Sequence, residues 1–458
     1  MFAGVAVLVV LPFTCARRDT GGTVTLRLWA GGMPEETAMF AEAVAAFEAA
    51  HPGVRVKLEA PGGGRLDKYL AAMQAGSCAD VIWVHWRTLP ALAAKEVLLP
   101  LDDLRRRDAY DLDDFYPDGL NAYTYDGRLC ALPHKGSTMV LYYNRDLFDR
   151  YNRGVSDAEK LPYPNDDWTW DDFLEAARKL TKTDEMGRTV QVGCLPYDWS
   201  SWVWSAGGKF TTDDMTQVFF TNAETRSGLR FYADLRNRWR VTTRNMNTGG
   251  HDPAAVDVFE KGNVAMAVSG PWMLPKYVPI DSFRWDIALF PKGPAGRQTR
   301  YAGMALAVWK GSRHQDLAWE LTKFLCGRQA GGIFAKGFLD LPARRSVARG
   351  AFARQPAAFD MDVLLRSMEP AHARIRVFPK SEKWPVVNRI FEEHFEAALI
   401  ENVGLDRAMD DAQRDAERFL ASTRAEPGPA DYVGLAVLGL AVGAAALWGL
   451  RRSKQGTA

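Results

Sequence analysis

Apolar and polar positions alternate from Val24 to Trp29, the pattern of a strand with one buried face. Pro34 then stands where a first helical residue tolerates proline. Phe40, Val44 and Phe47 follow at i, i+4 and i+7, one face of a helix. His51-Pro-Gly53 stops that helix, and Val54, Val56 and Leu58 predict the next strand. The pattern repeats with Leu66, Tyr69, Leu70 and Met73 on a helix, then the fully apolar strand Val81-Ile-Trp-Val84. Strand–helix–strand units of this kind form parallel pairs with a right-handed crossover, so the opening of the chain predicts an α/β fold.

Further along, residues 134–137 read as a polar turn and 139–143 as a short apolar strand. Asn144 opens a helix with Leu147 and Phe148, because its side chain accepts from the orphan amides of a first turn. Thr169 and Asp172 are spaced as a capping box before a helix carrying Phe173, Ala177 and Leu180. Residues 223–239 form an amphipathic helix with Leu229, Tyr232 and Leu235 on its apolar face. A turn at 259–263 leads to a strand at 264–268, broken by Ser269-Gly-Pro271. Pro271 as a first helical residue places Trp272 at the carboxyl end of that strand, the edge where ligands sit in open α/β sheets. Strands are expected at 285–289 and 304–308, and helices at 316–324 and 386–399.

A chain of 458 residues exceeds one ordinary core, so two lobes are expected. The formal net charge of +1 gives no electrostatic case for nucleic acid. Arg105-Arg-Arg107 runs into Asp108 and reads as a solvated helix end. The five cysteines (Cys15, Cys78, Cys130, Cys194, Cys326) form no CxxC, and buried free thiols are expected, with a Cys78–Cys130 pair as the alternative. The seven histidines form no ligand pair, so neither a metal nor a cofactor is predicted. No GxSxG, no phosphate loop and no GxGxxG opening a helix is present, and Pro61-Gly-Gly-Gly64 is a turn without the lysine a phosphate loop needs.

Both ends point to a membrane. Residues 2–14 are an apolar run of signal-peptide length, and 1–21 are read as a signal-like segment in which Cys15 follows a degraded lipoprotein box. Residues 432–450 carry no charge and are followed by Arg451-Arg-Ser-Lys454. At 1.5 Å per residue they span about 28 Å, so a transmembrane helix is expected, with 451–458 cytoplasmic and the residues before it outside. Residues 425–431 form the linker, Gly439-xxx-Gly443 could pack against another helix, and a processed sorting signal is the alternative to a permanent anchor.

The run Ala131-Leu-Pro-His-Lys-Gly-Ser-Thr-Met-Val-Leu-Tyr-Tyr-Asn-Arg-Asp-Leu-Phe-Asp149, then Trp170-Asp-Asp-Phe-Leu-Glu and Gly270-Pro-Trp272, resembles the extracellular solute-binding proteins that deliver sugars to ABC importers. The resemblance runs over about residues 24–419. It implies a two-lobed periplasmic-binding-protein-like α/β fold with hinge-connected discontinuous lobes, 22–132 with 287–342 and 137–284 with 346–424. It further implies a sugar ligand, an ABC permease as partner, no catalysis and no nucleic acid. A carbohydrate-active enzyme using the same cleft and a ligand-sensing receptor are the competing readings.

A sugar offers hydroxyls and flat C–H faces, so its site wants aromatic platforms among polar groups. The fifteen tryptophans favour such a site, although most belong in a core. Trp29 and Glu35 flank the first strand-to-helix loop, where similar proteins keep a ligand-binding acid. Trp83, His85 and Trp86 lie at the end of the following apolar strand. Ser137 closes the polar turn. Trp199, Trp202 and Trp204 form the densest aromatic group, and at least one of them is expected in the core. Trp272 is the leading candidate. Tyr301 and Gly303 open a strand where similar proteins let backbone approach the ligand. Arg344 and Arg345 follow Pro342 as in the family's arginine-bearing loop.

Overall fold

The computed structural model describes residues 23–60, 66–243, 259–337, 340–400 and 403–423. Two five-stranded sheets dominate it. In spatial order the first is Val54–Glu59, Val24–Trp29, Val81–His85, Ala302–Val308 and Leu132–Ser137. The second is Trp285–Leu289, Val140–Asn144, Val264–Ser269, Thr189–Leu195 and Lys182–Thr183. The first three strands of the chain pair in parallel, as the opening pattern predicts, and Ala302–Val308 runs against them.

Leu132–Ser137 and Val140–Asn144 are separated by Thr138 and Met139 alone, so the chain passes from one sheet to the other there. It returns between Leu289 and Ala302, and the strand Gln298–Arg300 on that return pairs with Arg374–Arg376. Trp285–Leu289 is registered along its length with Val140–Asn144 in the second sheet. The strand at 285–289, which the expected bounds 284 and 287 would have divided between the lobes, therefore stays whole in the second sheet.

Residues 134–137 are not a turn. They belong to the strand Leu132–Ser137, with an irregular register against Ala302–Val308 at Met304 and Ala305 that leaves His134 as the extra residue. The polar groups that suggested a turn are accommodated sideways: Lys135 pairs with Glu36, and the His134 ring stacks on Phe40. The helix signals hold. Asn144 accepts from the Leu147 amide at 3.1 Å, and Thr169 and Asp172 make both bonds of a capping box. The helix starting at Pro34 runs Pro34–Ala50, and Arg107 at the end of Asp102–Arg107 pairs with Asp108 and Asp316.

One core cluster (Leu26, Phe40, Phe47, Trp83, Trp319) lies between the first sheet and its helices. The other runs from Trp29 and Tyr69 through Trp86 and Phe378 into the second sheet, so the two halves share packed apolar surface. Cys78, Cys130, Cys194 and Cys326 are free and buried, and Cys78 and Cys130 do not pair. Among the described residues no helix is long and apolar enough to cross a membrane, and no group of side chains could hold a metal ion. The expectations for 1–21, Pro61-Gly-Gly-Gly64, 425–431, 432–450 and 451–458 lie outside the described residues.

Candidate functional site

The parallel strands of the first sheet end at Trp29, Glu59 and His85, beside the amino end of Ala302–Val308. Those of the second sheet end at Leu195 and Ser269. These two edges are linked through Arg300. Its Nε donates to Asp198 Oδ1 at 3.0 Å, with both side chains buried, and its backbone amide donates to Ser201 Oγ at 3.1 Å. Its guanidinium also lies 5.3 Å from the centroid of the Trp86 ring, on the opposite edge. Arg87 approaches the same ring at 4.9 Å. Burial pulls the Arg87 guanidinium down to about 10, and the Arg300 charge adds to that, against Glu392, Tyr197 and Asp198.

Asp198 is held as the cap of the helix Trp199–Ser205, accepting from the Ser201 amide at 3.0 Å and the Ser200 hydroxyl at 2.8 Å. Tyr197, one residue earlier, has φ +27, a backbone conformation that non-glycine residues adopt sparingly and that gathers at functional sites. Its ring faces the half-buried Trp272 at 6.3 Å.

A second polar group lies between the helix Pro34–Ala50 and the strand Leu132–Ser137. Lys135 pairs with Glu36 at 2.7 Å, both largely buried, and shares a small pocket with His134 and Asp340. Burial pushes the Asp340 carboxyl up to about 6, opposed by Lys135 and Ser137. Burial pushes His134 down to about 3, helped by Lys135. The two groups oppose each other in their effect on stability. From about pH 4 to 6 the unfolded chain gives up the Asp340 proton that the folded protein keeps, so this carboxyl removes stability as pH rises. Below about pH 6.5 the unfolded chain takes a His134 proton that the folded protein refuses, so this ring removes stability as pH falls. Asp340→Asn leaves the histidine unopposed. Melting curves from pH 4 to 8 should show the variant more stable than wild type above pH 6 and losing up to about 1.4 kcal/mol more per pH unit on acidification. Parallel pH profiles would sink this assignment.

The sequence-predicted residues divide. Trp272 lies half-buried at one of the two edges joined by Arg300 and Trp86 at the other, where it is buried under Phe378; His85 is half-buried beside Trp86, its Nδ1 accepting from the Arg87 amide at 3.1 Å. Trp29 is buried on Tyr69 and donates to Glu59 at 2.6 Å. Glu35 is exposed, while its neighbour Glu36 turns inward. Trp83 packs beneath Lys135, and Ser137 is buried beside Asp340. Trp199, Trp202 and Trp204 are all buried, Trp202 among Trp170, Phe231 and Phe290. Tyr301 is buried, and its hydroxyl end fills the space that side chains at Gly136 and Gly303 would take. Arg344 is buried and bonded to the Cys326 carbonyl, the Tyr110 hydroxyl and Asp114, while Arg345 donates to the Asp113 carbonyl. Neither arginine's bonds reach the Arg300 edge.

Sequence reading took the tryptophans of the segment 197–204 rather than its first residues Tyr197 and Asp198, and passed over Arg87, Arg300, Phe378 and Glu392. Arg87, Tyr197, Asp198 and Arg300 follow or precede strand ends and were accessible to the strand-edge rule. Phe378 and Glu392 arrive from distant segments, Glu392 on the helix expected at 386–399, whose periodicity does not say what it will face.

The model of the family described as bacterial extracellular solute-binding protein matches residues 30–331. The chain belongs to that family. This solute-binding protein is 24% identical over 339 residues to the arabinooligosaccharide-binding protein of Bacillus subtilis (strain 168), covering 70% of this chain and 74% of the relative. It is 23% identical over 401 residues to a mannitol-binding protein of Pseudomonas aeruginosa, covering 81% of this chain and 88% of the relative. Among solved structures it resembles an ABC substrate-binding protein from Listeria monocytogenes in complex with cycloalternan, with a TM-score of 0.75 and 20% identity over 87% of this chain and 99% of that one. That likeness establishes the two-lobed periplasmic-binding-protein-like α/β fold for the solute-binding protein described here.

Proposed function

We propose that this solute-binding protein captures a sugar, an oligosaccharide or similar polyol, between its two lobes and delivers it to an ABC importer. The observation that carries this reading is the joining of two strand edges through Arg300, with the buried Trp86 on one and Tyr197 and the half-buried Trp272 on the other. Aromatic faces among arginines and carboxylates suit the C–H faces and hydroxyls of a sugar. The lobes would comprise residues 22–137 with 290–342, and 140–289 with 346–424. Closure about the crossings near Thr138 and Met139 requires the ligand to bind the closed form better, through contacts from both lobes. Residues 432–450 would tether the protein in the membrane with the lobes outside, which raises its effective concentration near the permease.

Tryptophan fluorescence titration of the full chain in detergent, over mono-, di- and oligosaccharides, tests the reading. A selective response to one sugar, recovered intact, supports it. A response accompanied by cleavage of the sugar would move the protein to carbohydrate-active enzymes. Trp272→Ala is expected to weaken the responding sugar at least tenfold, about 1.4 kcal/mol. Unchanged affinity in that variant would remove Trp272 from the site.

A further inference from the structure

After the strand Arg374–Arg376, residues 377–383 run without regular structure to the helix Trp384–Ile400. The segment starts on a crossing between the sheets: Arg374–Arg376 pairs with Gln298–Arg300, and the Tyr301 amide donates to the Arg376 carbonyl at 2.8 Å. It is anchored in the second lobe, where Phe378 packs on Trp199, Trp204 and Trp384. Phe391 of the following helix packs on Phe210 and Phe220 of the same lobe.

Between those ends the segment reaches the first lobe twice. The Phe378 ring stacks on Trp86 at 5.5 Å and 12°, and Lys380 Nζ donates to the carbonyl and Oδ1 of Asn121 at 2.9 and 2.8 Å. Asn121 lies in the last turn of the helix Pro117–Ala122, where carbonyls lack intrahelical partners and favour a cation. Pro379 stands between the two contacts, and its fixed φ limits how far they can move apart. The fit is close: about 10 Å³ remains free beside these rings, room for about one water and for no ligand. Parallel stacking and a lysine shared by two acceptors both depend on where the partners stand. Rotation of one lobe against the other slides the rings out of register and draws Nζ away from Asn121.

We propose, resting on the lobe division given above, that residues 377–384 are a strap that sets the angle between the lobes. Phe378 and Lys380, carried on the second lobe, hold the first through Trp86 and Asn121, so the ligand-free protein rests at one angle. A ligand that needs the lobes to close meets only the closure-competent fraction, so the strap scales its affinity without touching it. The test is double electron–electron resonance on the full chain in detergent, with no sugar added. Spin labels are placed at the exposed positions Ala45→Cys in the first lobe and Ala158→Cys in the second, in a Cys15→Ser background. Cys78, Cys130, Cys194 and Cys326 are buried and take no label. Phe378→Leu keeps an apolar side chain and loses the stack, while Lys380→Met keeps the stem and loses both bonds. Each variant is expected to shift the mean distance between the lobes or to add a second population. A pair inside the first lobe, Ala45→Cys with Lys95→Cys, should keep its distance. Lys380 is half-buried, so Lys380→Met carries the test if Phe378→Leu does not fold. Folded variants with the wild-type distribution between the lobes overturn the strap. A change inside the first lobe as large as that between the lobes overturns it too, because the two residues then hold a core and not an angle. Neither result bears on the sugar-binding reading.

Discussion

Asp198→Ala is expected to destabilise the protein by about 3–5 kcal/mol, read as a lower urea midpoint at unchanged slope. Asp198 and Arg300 are a buried ion pair at 3.0 Å, with side chains only 6% and 5% exposed. Removing one member strands the other charge away from water, and that desolvation exceeds the pair's own attraction. The same carboxylate caps the helix Trp199–Ser205 and accepts from two serine hydroxyls, so alanine removes those bonds as well. Asp198→Asn keeps an acceptable cap but loses the charge, and should fall between wild type and alanine. Combining Asp198→Ala with Arg300→Met should recover part of the loss, because no charge is then stranded. An alanine variant within about 1 kcal/mol of wild type would show that water reaches Arg300. Because Arg300 also lies over Trp86, ligand affinity should fall together with stability.

Gly193→Ala is expected to lose about 3 kcal/mol or more, through a different cause. Gly193 sits in the strand Thr189–Leu195 against the helix Trp170–Leu180. A Cβ there would press into the backbone carbonyl of Ala177 and approach Thr181 Oγ1, which itself donates to that carbonyl at 2.7 Å. Backbone cannot swing aside as a side-chain tip can, so the helix must move off the sheet and disturb Phe173 and Ala177, both fully buried. Gly332→Ala is the control. It lies in the helix Arg328–Ala335 with open space where its Cβ would stand, and should stabilise the protein by up to about 1 kcal/mol. If both variants melt alike, close packing at Gly193 is not what holds this helix.

The strand-edge argument was legible wherever a strand ended next to a distinctive residue. Trp86 and Trp272 were put forward that way, and each follows the end of its strand, Trp86 buried and Trp272 half-buried. Glu35 was named as the acid of the first strand-to-helix loop, but a first helical turn exposes one residue and buries the next with nothing in composition to say which. The choice was made by Lys135, which arrives from a strand about a hundred residues away and takes Glu36. Arg344 looked like a cleft residue by its loop, yet Tyr110, Asp114 and Cys326 hold its fork. The three tryptophans at 199, 202 and 204 sit on one short helix that is buried all round, a fact no spacing encodes.

Local signals depend on neighbours a few residues apart, and those the sequence determined by itself: alternation in the strands, the Pro34 helix start, the Asn144 cap, the Thr169–Asp172 box and the α/β class that follows from their order. The tertiary structure alone decided that 134–137 is a strand, that Trp285–Leu289 stays in the second sheet, and that Arg300 joins Asp198 to Trp86. Each of those depends on partners brought together from distant parts of the chain, where burial and pairing outweigh local preference.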